Sequence, residues 1–351
     1  MRIIVNDIAA SKGGALTVLK EFYNCVREND TENEWIFLLG DKILEETDNI
    51  KIITLPEIKN SRIKKLLFDL FTGKKFIKKL NPDVVFSMQN TAVFGLAIPQ
   101  LIYLHQSIPF QTVKKFSFLK KSERSIAIIQ YLIGWVIKKS AKVCDKVIVQ
   151  TKWMKEAVCK QCHLPDEKVV RIPPVVSDIS EYDISKQFDK NAFFYPTAPA
   201  IYKNNSAIFK ACEILDKKNL TYDVVLTLPE NYSRKNVRCV GRLPYCEVIE
   251  KYAQSTLIFP SYIETFGFPM AEARKVGTVI FASDCPFSRE VLEGYENAYF
   301  FDPFKPEKLA SLMEMVVSGE ITKKQTSAQP DGESNGWLCV LNEVLNSTHN
   351  Y

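Results

Sequence analysis

Residues Pro260 to Thr278 read PSYIETFGFPMAEARKVGT, and this stretch decides the fold. It follows an apolar run, Leu257-Ile258-Phe259, that reads as a buried strand. A short loop, Ser261 to Thr265, leads through Phe266-Gly267-Phe268-Pro269 into a helix over Met270 to Lys275. Proline early in a helix is preorganised for its first turn, where a missing N–H is no loss. Glycine lets the backbone approach a ligand closely. The bare N–H groups of such a helix start, at the positive end of its dipole, suit an anion. Glu264 and Glu272, eight residues apart, frame that start. Carboxylates do not bind a diphosphate, so their chemistry suits sugar and ribose hydroxyls. Taken alone, the pair also fits a loop and an amphipathic helix with two solvated glutamates.

With FGFP between the glutamates, after an apolar strand in the second half of the chain, the stretch resembles the E-x7-E signature of retaining nucleotide-sugar glycosyltransferases of family 4. The resemblance implies an α/β fold of the GT-B type, with two Rossmann-like doubly wound domains facing one another across a cleft. It implies that Glu264 contacts the donor sugar and Glu272 the ribose. It also implies that the Phe266, Gly267 and Phe268 amides hold the diphosphate, with Thr265 and Arg242 beside the donor. Arg242 fits a surface position equally well.

Outward from this stretch, 351 residues exceed one ordinary core, so two domains are expected. The first half alternates β-branched runs with helical stretches, the pattern of a doubly wound domain. Strands are expected at Arg2–Val5, Trp35–Leu39, Ile50–Leu55, Val84–Met88, Leu101–His105, Val147–Gln150 and Val169–Ile172. Long helices are expected over Ala15–Asn29, Ser61–Leu80, Glu123–Lys139 and Lys152–Cys162. Pro173-Pro174 and an acidic irregular stretch read as a linker. The expected division is 1–176 as the acceptor-binding domain, 177–190 as linker and 191–335 as the nucleotide-sugar domain. Residues 336–351 are expected to form a helix crossing back to the first domain, as the resemblance implies, and 320–336 reads as a polar loop.

Ligands of open α/β sheets collect at the carboxyl ends of strands. After the first strand, Gly13-Gly14 opens a helix without forming a GxGxxG or a P-loop, but its bare amides suit an anion or a hydroxyl. The resemblance implies that this glycine loop lies near the donor phosphates and the acceptor. After the fourth come Gln89 and Asn90, amides suited to acceptor hydroxyls. After the fifth comes His105. A lone histidine at a strand end is commonly structural, but the family carries one here, near the donor sugar. In the second half, Lys203 precedes a helix and suits a diphosphate as a point charge. Asn204 or Asn205 reads as the N-cap of that helix. The family usually has an arginine a few residues before this lysine, and Thr197 to Tyr202 contains no basic residue.

Net charge is +5. Residues 1–175 hold 28 Lys/Arg against 18 Asp/Glu, and the remainder is acidic. The excess lies in Lys59–Lys79 and Lys114–Arg124, where basic residues alternate with large apolar ones. That mixture suits contact with an anionic membrane. It also fits a solvated helix whose lysine stems cover a core face. No nucleic-acid motif accompanies it. The nine cysteines are scattered singly, as expected of reduced thiols in the cytoplasm. Cys159-Lys-Gln-Cys162-His163 matches a haem-attachment motif, but that chemistry needs export and no signal segment is visible. No second ligand pair supports zinc. A cytoplasmic protein, peripheral on the inner face of the membrane, is the expectation.

The resemblance therefore implies a metal-independent, retaining transferase. It would move a sugar from a UDP- or GDP-linked donor to a saccharide or polyprenyl-diphosphate-linked acceptor in bacterial surface polysaccharide synthesis, with no cofactor. Catalysis would rest on Glu264, His105 and Lys203. Two rival readings stand beside it: a degenerate partner subunit, favoured by the missing arginine, and a nucleotide-sugar epimerase.

Overall fold

The computed structural model describes residues 1–10, 14–325 and 336–348. Gly13 and most of the loop expected over 320–336 lie outside the described residues. The chain divides into two compact units, Met1–Val175 with Glu333–Tyr351, and Val176–Gly332.

The first unit carries a seven-stranded, wholly parallel sheet. Its strands are β1 (Arg2–Asp7), β2 (Glu34–Leu39), β3 (Ile50–Thr54), β4 (Val84–Ser87), β5 (Gln100–Tyr103), β6 (Lys146–Val149) and β7 (Val169–Arg171). The order β3-β2-β1-β4-β5-β6-β7 reverses direction between β1 and β4. Both faces are covered, so the strands are apolar throughout rather than alternating. Ile3 and Val5 look into one layer with the helix Gly14–Asn29 and the helix Gly336–Leu345; Ile4 looks into the opposite layer. Trp337 anchors the last helix to the first unit. Its ring packs against Phe22 and Tyr103 with centroids 5.8 and 5.2 Å away, and its indole N–H donates to Glu21 at 2.9 Å.

Two helices of the opposite layer differ from expectation in detail. Residues Arg62–Lys79 run as one helical rod, but Phe68–Thr72 is a π-turn. Residues Arg124–Val143 contain another at Ile128–Ile133. Such turns insert one residue and rotate the faces on either side. Hydrophobic periodicity at 3.6 residues does not reveal them.

The second unit repeats the architecture in six parallel strands: β8 (Ala192–Tyr195), β9 (Asp223–Leu226), β10 (Val237–Cys239), β11 (Thr256–Phe259), β12 (Ile280–Ser283) and β13 (Ala298–Phe301). Their order is β10-β9-β8-β11-β12-β13. Leu257, Ile258, Phe259 and Phe281 are fully buried. Residues 177–190 have no helix or strand, yet they are laid along this unit. The Asp189 N–H donates to the Gln254 carbonyl at 2.8 Å, and Lys186 pairs with Glu250 at 2.6 Å. The Tyr182 and Tyr245 rings meet edge-on at 5.6 Å.

Candidate functional site

In the second unit, β8 and β11 are neighbours from which the chain departs in opposite directions. Their carboxyl ends therefore leave an open crevice, the usual place for a ligand in such sheets. The loops that follow them bring Lys203 and Glu264 together. The Lys203 ammonium lies 2.6 Å from Glu264 Oε1, with both side chains about one-fifth exposed. Burial pulls the Lys203 pKa down, but the Glu264 carboxylate outweighs it and holds the ammonium above the usual lysine range. The Ser261 hydroxyl donates to the same Oε1 at 2.7 Å.

The loops themselves are tied to one another. Asn204 sits at the N-cap of the helix Asn205–Lys217 with φ +56°, but its side chain does not cap that helix. Its amide instead donates to the carbonyls of Pro303 (2.7 Å) and Pro260 (3.3 Å). The expected role of cap gives way to a clamp joining the loops after β8, β11 and β13. Tyr262 N–H donates to the Tyr202 carbonyl at 3.1 Å, and Ser283 Oγ to the Ser261 carbonyl.

The helix of the central stretch begins at Phe268 and ends at Lys275. Gly267 precedes it at φ +98°, in the left-handed region that side-chain-bearing residues rarely adopt. Among the described residues, the N–H groups of Phe266, Gly267 and Phe268 meet no hydrogen-bond acceptor in the protein. The two phenylalanine rings pack edge-to-face at 5.2 Å and brace the turn from the side. Glu272, one turn in, receives the Tyr252 hydroxyl at 3.1 Å. Its pKa is raised by burial, opposed by the hydroxyls of Tyr252 and Tyr245. Thr265 is half-buried in the loop. Arg242 is exposed, just past the Gly241 turn.

In the first unit, Asn90 and His105 meet. Asn90 stands at φ +69° after β4, and its carboxamide oxygen accepts the His105 N–H at 2.8 Å. Its amide nitrogen lies 3.1 Å from His105 Nε2. Burial lowers the imidazole pKa to about 4, so the ring is neutral at physiological pH. Gln89 is buried, and its amide nitrogen donates to Asp69 at 3.1 Å. Asp69 also accepts from Thr91 at 2.8 Å and pairs with Lys65 at 3.3 Å. Gly14 opens the helix Gly14–Asn29 with open space where a Cβ would stand. Cys162 is buried and His163 is a left-handed C-cap, φ +54°, of the helix Lys152–Cys162. The haem-like spelling is thus a helix terminus.

Sequence reasoning missed Ser261, Tyr252 and the Asp69 cluster. Tyr245 and Tyr252, two turns apart on the helix Tyr245–Gln254, were a legible signal for Glu272's partner. The Asp69 cluster had none, because its members come from separate elements.

Comparison with known proteins finds matches to both halves of the chain. Residues 12–178 match the family described as Glycosyltransferase Family 4, and residues 183–331 match Glycosyl transferases group 1. The chain is a GT4-type glycosyltransferase. Over 262 residues, 69% of this chain and 70% of the relative, it is 24% identical to the O-antigen chain mannosyltransferase RfbU of Salmonella typhimurium. The fold of this glycosyltransferase is like that of the lipopolysaccharide outer core galactosyltransferase WaaB, with TM-score 0.65, 15% identity and 99% of each chain covered. It is also like Anabaena HepE solved with UDP-glucose, with TM-score 0.61 and 14% identity, over 91% of this chain and 90% of that one. The two parallel α/β units of this glycosyltransferase are the two Rossmann-like domains of a GT-B fold.

Proposed function

We propose that this protein is a retaining, metal-independent glycosyltransferase that takes a nucleoside-diphosphate-sugar, UDP- or GDP-linked, and glycosylates a saccharide acceptor, free or carried on a polyprenyl diphosphate. The observation that carries the reading is the Lys203–Glu264 pair, 2.6 Å apart, beside the bare amides of the Gly267 helix start. A diphosphate at that helix start competes for the Lys203 ammonium. The carboxylate released from the pair then accepts from donor-sugar hydroxyls. Glu272, already oriented by Tyr252, accepts from the ribose.

On departure of the nucleoside diphosphate, negative charge grows on the β-phosphate. Amides and an ammonium fixed in advance stabilise it without reorganising, which is where most of the rate is gained. The leaving phosphate takes the acceptor proton as the acceptor attacks from the same face, so configuration is kept. The neutral His105 ring is suited to hydrogen bonding with a sugar hydroxyl rather than to holding charge. The name of the Salmonella relative supports a surface polysaccharide as the product.

The test is a thermal-shift screen of the purified protein against UDP-, GDP-, dTDP- and CMP-sugars with EDTA present. A ligand of the folded state raises the melting temperature. A rise with one nucleotide class, followed by a product whose anomeric configuration by NMR equals the donor's, supports the reading. No rise with any of them overturns the donor assignment, and an inverted product overturns the mechanism.

A further inference from the structure

The exposed apolar side chains of the first unit are gathered rather than scattered. On the rod Arg62–Lys79, Ile63 is 71% exposed and Phe71 67%. On the rod Arg124–Val143 and the loop before it, Leu119 is 91% exposed, Leu132 61% and Trp135 59%. No described large apolar side chain of the second unit exceeds the 52% of Phe304.

Both rods lie in one layer. Phe68 and Ile77 of the first pack with Ile4 and Val85, while Ile137 and Ala141 of the second pack with Ile102 and Val147. Ile4 pairs with Val85, Val85 with Gln100, and Ile102 stands two residues beyond Gln100. Successive residues of a strand alternate between faces, so Ile4, Val85 and Ile102 share one face of the sheet. The outer surfaces of the two rods consequently look the same way. Each rod also starts from the carboxyl edge of the sheet, since it follows β3 or β5 and runs back antiparallel to the strands. Ile63 and Leu119 lie toward that edge, the one that carries Asn90 and His105, whereas Phe71, Leu132 and Trp135 stand midway along their rods.

The charge around them has one sign. Between Arg62 and Leu80 the one acid is Asp69, 1% exposed; between Val113 and Val143 it is Glu123, 5% exposed. Lys64, Lys74, Lys75, Lys120, Lys121 and Arg124 are all exposed. Clustered exposed apolar side chains mark a contact surface. Protruding aliphatic and indole side chains in a field of lysine fit the headgroup boundary of an anionic bilayer. A second copy on this face would set lysine against lysine, and a nucleic acid has no use for Ile63, Leu119 or Leu132.

We propose that the outer face of these two rods docks on an anionic lipid bilayer. That such docking presents a lipid-linked acceptor rests on the transferase reading; the docking itself does not.

The test is flotation of the full-length protein with vesicles of phosphatidylcholine alone and with one-third phosphatidylglycerol, at low and high salt. The protein is expected to float with the anionic vesicles, far less with the neutral ones, and less at high salt. The triple variant Leu119→Ser, Leu132→Ser, Trp135→Ser, and separately Lys120→Glu with Lys121→Glu, are each expected to lower the bound fraction about tenfold. Both variants should keep the wild-type melting temperature and nucleotide-sugar response. Absence of flotation with anionic vesicles overturns the proposal, as does flotation that neither variant weakens. So does an apolar variant whose only effect, by light scattering, is to turn a dimer into a monomer. Flotation that persists in a protein with no nucleotide-sugar response upholds docking and overturns the donor assignment instead.

Discussion

Lys203 and Glu264 stand 61 residues apart in the chain and 2.6 Å apart in the fold. Each is placed by a loop leaving one of two adjacent parallel strands, so their meeting is a property of strand order. If Lys203 neutralises the diphosphate, Lys203→Ala should weaken nucleoside-diphosphate binding by 10- to 100-fold, about 1.4–3 kcal/mol for one charge-assisted contact. Titration calorimetry with UDP and GDP decides it; unchanged affinity would remove Lys203 from the donor site. Asp7, at the end of β1, allows a pH prediction. Burial raises its pKa from 3.8 to about 7, against the opposing pull of Lys65 and of the Ala10 N–H. The folded carboxyl keeps its proton at pH values where the unfolded one has lost it. Its contribution therefore favours folding at low pH and is lost as pH rises from about 4 to about 7, by a few kcal/mol at most. Asp7→Asn should remove that component, so urea unfolding at pH 4.5 and 7.5 should differ less between the two pH values in the variant than in the wild type.

The stretch around Gly267 shows how far one element can be read from its residues. The strand, loop and helix were legible because an apolar run, a glycine and an early proline each have one local use. The positive φ follows from the same residues, and Gly267→Ala is expected to cost about 1–2 kcal/mol of stability in the second unit, since a Cβ disfavours the left-handed region. Its Cβ would also fall 2.7 Å from the Met270 methyl, which is flexible enough to yield. Thermal unfolding of the variant, with and without nucleotide-sugar, measures both the strain and the loss of donor response. The two π-turns were not legible, because each arises where a helix must satisfy a core face and a solvent face out of register by one residue. From its place after a strand, Gln89 is expected to be open to an acceptor. Its amide nitrogen turns inward to Asp69, a carboxylate buried by a helix whose packing no local pattern announces.

At the scale of the whole molecule, the chain forms two compact units. The donor site as assigned draws every residue from the second unit, whereas the Asn90–His105 pair and the basic apolar face belong to the first. Calorimetry on the full chain should accordingly resolve two transitions, with a bound nucleotide-sugar raising the one that belongs to residues 176–332. A single transition that rises as a whole would show the units to unfold as one. The charge asymmetry, a basic first half and an acidic second, belongs to this scale too, since it becomes a surface only when Asp69 and Glu123 are buried and their lysine neighbours are not.

By itself the sequence determined the α/β class, the doubling of the architecture, the strand and helix sites to within a few residues, and the helix start at Gly267. Each of these follows from local periodicity, chain length and the restricted conformations of glycine and proline. Only the tertiary structure decided that Lys203 pairs with Glu264, that Asn90 holds His105, that Asn204 clamps three loops instead of capping its helix, and that two rods share one exposed basic face. Those facts depend on which strands are neighbours and which side chains are buried. Both come from packing parallel strands under helices, a non-local competition that no window of the sequence contains.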